Sequence, residues 1–137
     1  MATIKLTWGN DQESLLVMRF SKGWTSDECL EIAKKASRLI AQKSHTVHIF
    51  VDLRGVQNYP LNITVLVIKC LKYHVPNIGL VIAISKSSFL RHLYDAVRLL
   101  FPKDMPINIV SELNEALILF EDQTRDEYNK SDLKVLV

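Results

Sequence analysis

Most of the residue patterns that announce a chemistry are missing from this chain. Cysteine occurs only twice, at Cys29 and Cys70, without CxxC spacing and within segments that read as helices. That excludes a disulfide scaffold or a thioredoxin-like redox motif and leaves two buried free thiols as the expectation. Glycine occurs four times, and no GxGxxG or GxxxxGK[ST] pattern is formed, so no tight nucleotide site is expected. The longer apolar runs, such as Ile78 to Ile84, fall far short of the roughly 20 residues that span a bilayer. The start, MATIKLTW, has no basic-then-apolar leader, from which a cytoplasmic address is expected. Charge is nearly balanced, with 17 Lys and Arg against 15 Asp and Glu, spread over the whole length. No concentrated basic stripe marks a nucleic-acid binder.

What the chain does have is alternation of β-prone and helical segments. With 137 residues, 48% of them hydrophobic, it is long enough for one domain with an ordinary core. Ile4–Trp8 and Leu15–Phe20 are short β-prone runs around the turn-rich Gly9–Gln12, which suggests an antiparallel hairpin. Thr25 followed by Glu28 has the register of a capping box, and Leu30, Ile32, Ala33, Ala36, Leu39 and Ile40 give the next segment a helical apolar face. Val47 to Leu53 reads as a strand, and a helix from Leu61 to Tyr73 follows with Pro60 at its first turn. Asn77 to Ser85 reads as a strand apolar on both faces, which demands cover on both sides. Ser87 or Ser88 caps a helix carrying Phe89, Leu90, Leu93, Val97, Leu100 and Phe101, stopped by Pro102. A short strand Ile107–Val110 and a helix capped by Ser111 complete the order β-β-α-β-α-β-α-β-α. The expected fold class is α/β, a mixed, mostly parallel five-stranded sheet with four helices.

This element order, the strand VHIFVDL ending at Asp52, the strand NIGLVIAIS and the closing PINIVSELNEALILF resemble the STAS fold of anti-sigma factor antagonists, in particular small SpoIIAA-like and STAS/SEC14-like bacterial domains. The resemblance covers about residues 2 to 122, so it implies one STAS-like domain over 1–122 and a tail over 123–137. In the antagonist branch a serine or threonine at the start of the helix after the aspartate-ended strand is phosphorylated. Here the stretch Gln57 to Asn62 has neither, and Thr64 comes about a turn later. The resemblance therefore implies a non-enzymatic protein-interaction or regulatory module without the usual phosphorylatable serine. Its SEC14-like side implies the alternative, a carrier of a small or lipid-like apolar ligand.

The candidate site follows from strand order. Ligands of open α/β sheets gather at the carboxyl ends of the strands. If the strands ending at Asp52 and at Ile84 are neighbours, Asp52, Arg54, Gly55, Gln57, Asn58 and Tyr59 face Ser85, Lys86, Ser87 and Ser88 across one edge, with Arg91 nearby. Those residues suit a protein partner or a small anion, while the simpler reading makes Ser87 or Ser88 a cap and Arg54 the partner of Asp52. Tyr59 with Asn58 and Arg54 offers the anchors that interfaces favour. An apolar pocket would draw on Leu66, Ile68, Phe89, Tyr94 and Phe101. His45 and His48 stand three apart on a strand and point to opposite faces, so no metal site is expected, and no cofactor. Ser88, His92 and Asp95 share one short helix and cannot converge as a triad, so no enzyme is expected. The tail closes on LKVLV, read either as a strand added to a sheet edge, of its own chain or of a second copy in an exchanged homodimer, or as a disordered end or a strap over its own core.

Overall fold

The computed structural model describes residues 3–101, 103, 106–124 and 136. Its elements are β1 (Ile4–Trp8), β2 (Leu15–Phe20), α1 (Ser26–Ala41), β3 (Val47–Asp52), α2 (Ile63–Leu71), β4 (Ile78–Ile84), α3 (Ser88–Val97), a 3-10 turn (Arg98–Leu100), β5 (Ile107–Val110) and α4 (Leu113–Thr124). One sheet holds the strands in the order β1-β2-β3-β4-β5. The β1–β2 hairpin is antiparallel, and β2, β3, β4 and β5 run parallel to one another. The expected α/β architecture is present, and β3 and β4 are neighbours.

The alternation of side chains along the strands assigns the helices to faces. Leu15, Val17, Phe50, Leu80, Ile82, Ile84 and Val110 form one face, packed with Ala116 and Phe120 of α4 and with Leu136. Met18, Phe20, Ile49, Val51, Leu53, Val81 and Ala83 form the other, facing α1, α2 and α3. Three helices thus share one face. The opposite face has α4 and, from the far end of the chain, Leu136, which is wholly buried. Residues 125–135 of the tail lie outside the described residues.

Local chemistry differs from expectation at several joints. Thr25 caps α1, its hydroxyl accepting from the Glu28 N–H at 3.2 Å. Glu28 does not close the capping box; its carboxylate accepts from the backbone N–H groups of Thr3 (2.8 Å) and Ile4 (3.2 Å) and from the Thr3 hydroxyl. Those N–H groups belong to the edge of the sheet, where no further strand can serve them, so they compete successfully for the carboxylate. Pro60 stands outside α2, which starts at Ile63 behind Asn62. Ser111 donates its hydroxyl to Glu115, whose carboxylate also accepts the Glu112 N–H. His48 is structural. The β3–β4 register shifts between Val47 and Ile49, and there the His48 Nδ1 accepts the Leu80 N–H at 2.8 Å. Gly79 makes the room, since a Cβ there would stand 2.6 Å from that nitrogen. His45 turns away to the Glu13 carbonyl at 3.0 Å.

Leu136 gives the fold a direct test. Leu136→Ala should lower unfolding free energy by about 2–5 kcal/mol, as for other buried leucines. Urea denaturation of the two proteins measures it; a change below about 0.5 kcal/mol would show that the side chain is not in the core.

Candidate functional site

Two places compete for the role of functional site, and they lie on different surfaces. The first is the strand-end edge. The loops after β3 and β4 lie side by side, joined by the Leu53 N–H donating to the Ile84 carbonyl at 3.0 Å. Between them runs an open hollow lined by Arg54, Val56, Gln57, Ser85, Lys86, Ser87, Ser88 and Phe89. Asn58 lines a separate hollow with Lys22, Gly23 and Trp24, and Arg91 is exposed on α3.

The polar groups of this edge are largely turned on each other. Asp52 is buried and accepts from the Arg54 backbone N–H at 3.1 Å, from its Nε at 2.9 Å and from its Nη2 at 2.9 Å, while Arg19 stands 3.7 Å away. This is an Asx turn closed by a two-pronged guanidinium. The same Arg54 Nη2 donates to the Leu136 carbonyl at 3.4 Å, so the arginine faces the α4 side of the sheet. Gly55 is required by close approach: a Cβ there would lie 2.9 Å from the Phe20 carbonyl oxygen. Ser87 caps α3 by accepting the Leu90 N–H at 3.3 Å. The Ser85 hydroxyl accepts the Ser87 N–H at 3.1 Å and meets the Tyr59 hydroxyl at 3.3 Å. Lys86 reaches toward Glu112 at 4.0 Å.

Burial by itself pushes the Asp52 carboxyl up, but hydrogen bonds and charge from Arg54, with Arg19 behind it, outweigh burial and hold it below its ordinary value. A lowered folded-state value means that this group stabilises the fold above the ordinary carboxylate range and stops doing so as pH falls through the folded value. Asp52→Asn should therefore cost about 1–2 kcal/mol at neutral pH and flatten the loss of stability below about pH 4. Denaturation midpoints between pH 3 and 7 for both proteins check this; parallel curves would contradict it.

The second place is a cavity of about 310 Å³ beneath α1 and α2, over the face of the sheet opposite α4. Its floor is Met18, Ile49, Val51, Leu53, Val81 and Ala83; its walls are Ala33, Ala36, Ser37 and Ile40 of α1 and Ile63, Leu66, Val67 and Cys70 of α2. The cause is visible in α1. Ala33, Ala36 and Ser37 point inward at helical spacing, and three small side chains leave unfilled the gap that larger ones would close. Phe20, Trp24 and Tyr59 line the same cavity as a row of edge-on rings, Phe20–Trp24 at 5.2 Å and Trp24–Tyr59 at 6.5 Å, and Phe89 continues it 6.1 Å beyond Tyr59. Burial pushes the Tyr59 phenol up against the opposing effect of Ser85. Tyr59 thus belongs to the cavity and Arg54 to the other face, so the two do not form a joint anchor.

Of the residues expected to line an apolar pocket, Leu66 does. Ile68 and Phe89 are exposed, and Tyr94 stacks on Phe101 at 5.6 Å while its hydroxyl donates to the Ile107 carbonyl. Residues that periodicity alone did not single out, Trp24, Cys29, Cys70 and His74, also line the cavity. Cys29 and Cys70 are free thiols on the facing helices α1 and α2. Interaction with Cys70, with burial added, pushes the Cys29 thiol up, and the same interaction holds Cys70 below its ordinary value against burial. Iodoacetamide should therefore modify Cys70 before Cys29, and Cys29→Ala should slow the labelling of Cys70 several-fold whereas Cys29→Ser should not. Peptide mapping by mass spectrometry reads the order; equal rates at both thiols would refute it.

Among the described residues, no three His, Cys, Asp or Glu side chains are grouped to hold a metal ion, and no helix is long and apolar enough to cross a membrane. No protein-family model matches the chain, and no curated protein or solved structure shows significant similarity to it. The fold and site define the chain as a small α/β domain with a mixed sheet.

Proposed function

We propose that the chain is a non-enzymatic binding module, a carrier or sensor of one small apolar molecule, as the SEC14-like side of its STAS resemblance implies. The observation that carries this reading is the 310 Å³ cavity with its almost wholly apolar walls. Its volume falls at the lower end of the range of small-molecule sites and is about twice that of an apolar cavity known to take benzene. The cavity is open to solvent, so its apolar walls are wetted until a ligand covers them. The few polar groups of its lining include Tyr59 at the carboxyl end of the strands and Ser37 and His74 toward the other end.

A protein-docking module is the second reading, favoured by the exposure of Val65 and Phe89 beside the cavity. Arg54 is not the residue on which to test it, because reversing its charge would strip Asp52 of its main partner.

The ligand reading is tested with a polyene fatty acid, whose absorption overlaps tryptophan emission, on a Trp8→Phe background so that Trp24 is the sole donor. Saturable one-to-one energy transfer with Kd on the order of 10 μM or tighter is expected. Ala36→Leu, which fills the cavity from α1, should weaken it at least tenfold while leaving the fold intact. Undiminished binding by Ala36→Leu, or no saturable binding at all, would remove the cavity as the site.

A further inference from the structure

We infer that the outer surface of α2, with the adjoining start of α3, docks on an anionic lipid surface. The first observation is that α2, ITVLVIKCL, is apolar nearly all round. Its inner residues Ile63, Leu66 and Val67 face the cavity, and its outer side carries Val65 and Ile68, three apart on one face, with Leu61 exposed in the turn just before the helix. Leu61 is fully exposed, Val65 is 50% exposed and Ile68 is 39% exposed. Phe89, joined to this region through Tyr59, is 51% exposed at the start of α3. A helix apolar on both sides needs cover on both, and here only the inner side has it.

The second observation is charge, and it selects the cover. From Leu53 to Tyr94 the chain contains no Asp or Glu; Arg54 is taken up by Asp52 on the α4 side and Lys86 lies by Glu112, which leaves Lys69, Lys72 and Arg91 as the exposed cations of this stretch. Lys72 continues the Val65–Ile68 face at i+4 and Lys69 flanks it, both exposed. The one carboxylate on α3 is Asp95, two turns beyond Phe89 and flanked by Arg91 and Arg98. By contrast α1, on the same face of the sheet, mixes Asp27, Glu28 and Glu31 with its lysines. Exposed leucine, valine, isoleucine and phenylalanine rimmed by lysine and arginine, without acids, match the chemistry of a bilayer interface bearing anionic headgroups. A two-fold contact of this surface with the same surface of a second copy would set lysines against lysines, which disfavours that cover.

Continuity joins the two sites. The helix that would lie on the lipid is the wall of the cavity, so an acyl chain passing between bilayer and cavity has only α2 to cross. That passage rests on the ligand reading; the docking itself does not.

The test is co-sedimentation of the full chain with ligand-free vesicles of phosphatidylglycerol and phosphatidylcholine, against vesicles of phosphatidylcholine alone. Binding to the anionic vesicles is expected, at least tenfold weaker on the neutral ones and weakened again in 0.5 M salt, roughly, where the Debye length falls below about 5 Å. The Leu61→Asp, Val65→Asp double variant, altered only at exposed positions, and the Lys69→Glu, Lys72→Glu variant should each lose binding at least tenfold with unchanged circular dichroism. Absence of sedimentation with anionic vesicles overturns the inference, as does undiminished binding by the aspartate variant. So does a fall from dimer to monomer mass in that variant, since a second copy would then be the cover. Polyene fatty acid titration without vesicles separates the two proposals: probe binding without vesicle binding removes the docking alone, and vesicle binding without probe binding removes the cavity alone.

Discussion

A sheet whose strands are apolar on both faces must be covered on both, and the rest of this molecule follows from how unevenly that cover is supplied. The β-α-β order sends α1, α2 and α3 to one face and leaves a single helix for the other. On the sparsely covered face Phe50, Leu80, Ile82 and Ile84 have α4 and the buried Leu136 against them. Burying a leucine side chain removes apolar surface worth about 2 kcal/mol, which explains why an apolar residue so far along the chain is found there. On the amply covered face the constraint is opposite. Three helices are present, but α1 turns Ala33, Ala36 and Ser37 inward, so the cover stands off the sheet and a cavity remains.

The Asp52–Arg54 pair couples these two faces. Asp52 ends β3 on the α4 side, and its hydrogen bonds to Arg54 shape the turn from which the chain crosses to α2. Beyond that turn Val56 and Tyr59 join the opposite core. The turn also brings Gly55 against the Phe20 carbonyl, which only a residue without a Cβ permits. The arginine that pairs with this carboxylate thus touches Leu136 on one face, and the turn it closes leads to Tyr59, within the aromatic row, on the other.

Periodicity and cap chemistry made the elements legible. The hairpin strands Ile4–Trp8 and Leu15–Phe20, the Thr25 and Ser87 caps and the two-faced strand β4 stand where local rules put them. The rules failed where a partner distant in sequence outbid a local one. Glu28 leaves its capping box for the edge of β1; separately, α2 starts at Ile63, later than the expected Leu61, with Pro60 outside it. Of the candidate site, the adjacency of the Asp52 and Ser85 loops was legible, because parallel neighbouring strands end at one edge. The cavity was not. A void is a difference between the size of facing side chains, and single-helix periodicity reports which residues face inward but not what they meet. The small residues of α1 were visible in the sequence; that α2 does not extend far enough inward to fill the space they leave was not.

The exposed apolar side of α2 bears on the same point. A helix with Val65 and Ile68 outward and Leu66 and Val67 inward cannot reduce its exposure by rotating, because any rotation that buries one side presents the other to water. Its inner residues Ile63 and Leu66 anchor it in the core, and the Tyr59–Ser85 hydroxyl pair ties down the chain before it. Two apolar surfaces without full cover therefore meet in one helix, the cavity wall on its inner side and Val65 and Ile68 on its outer side.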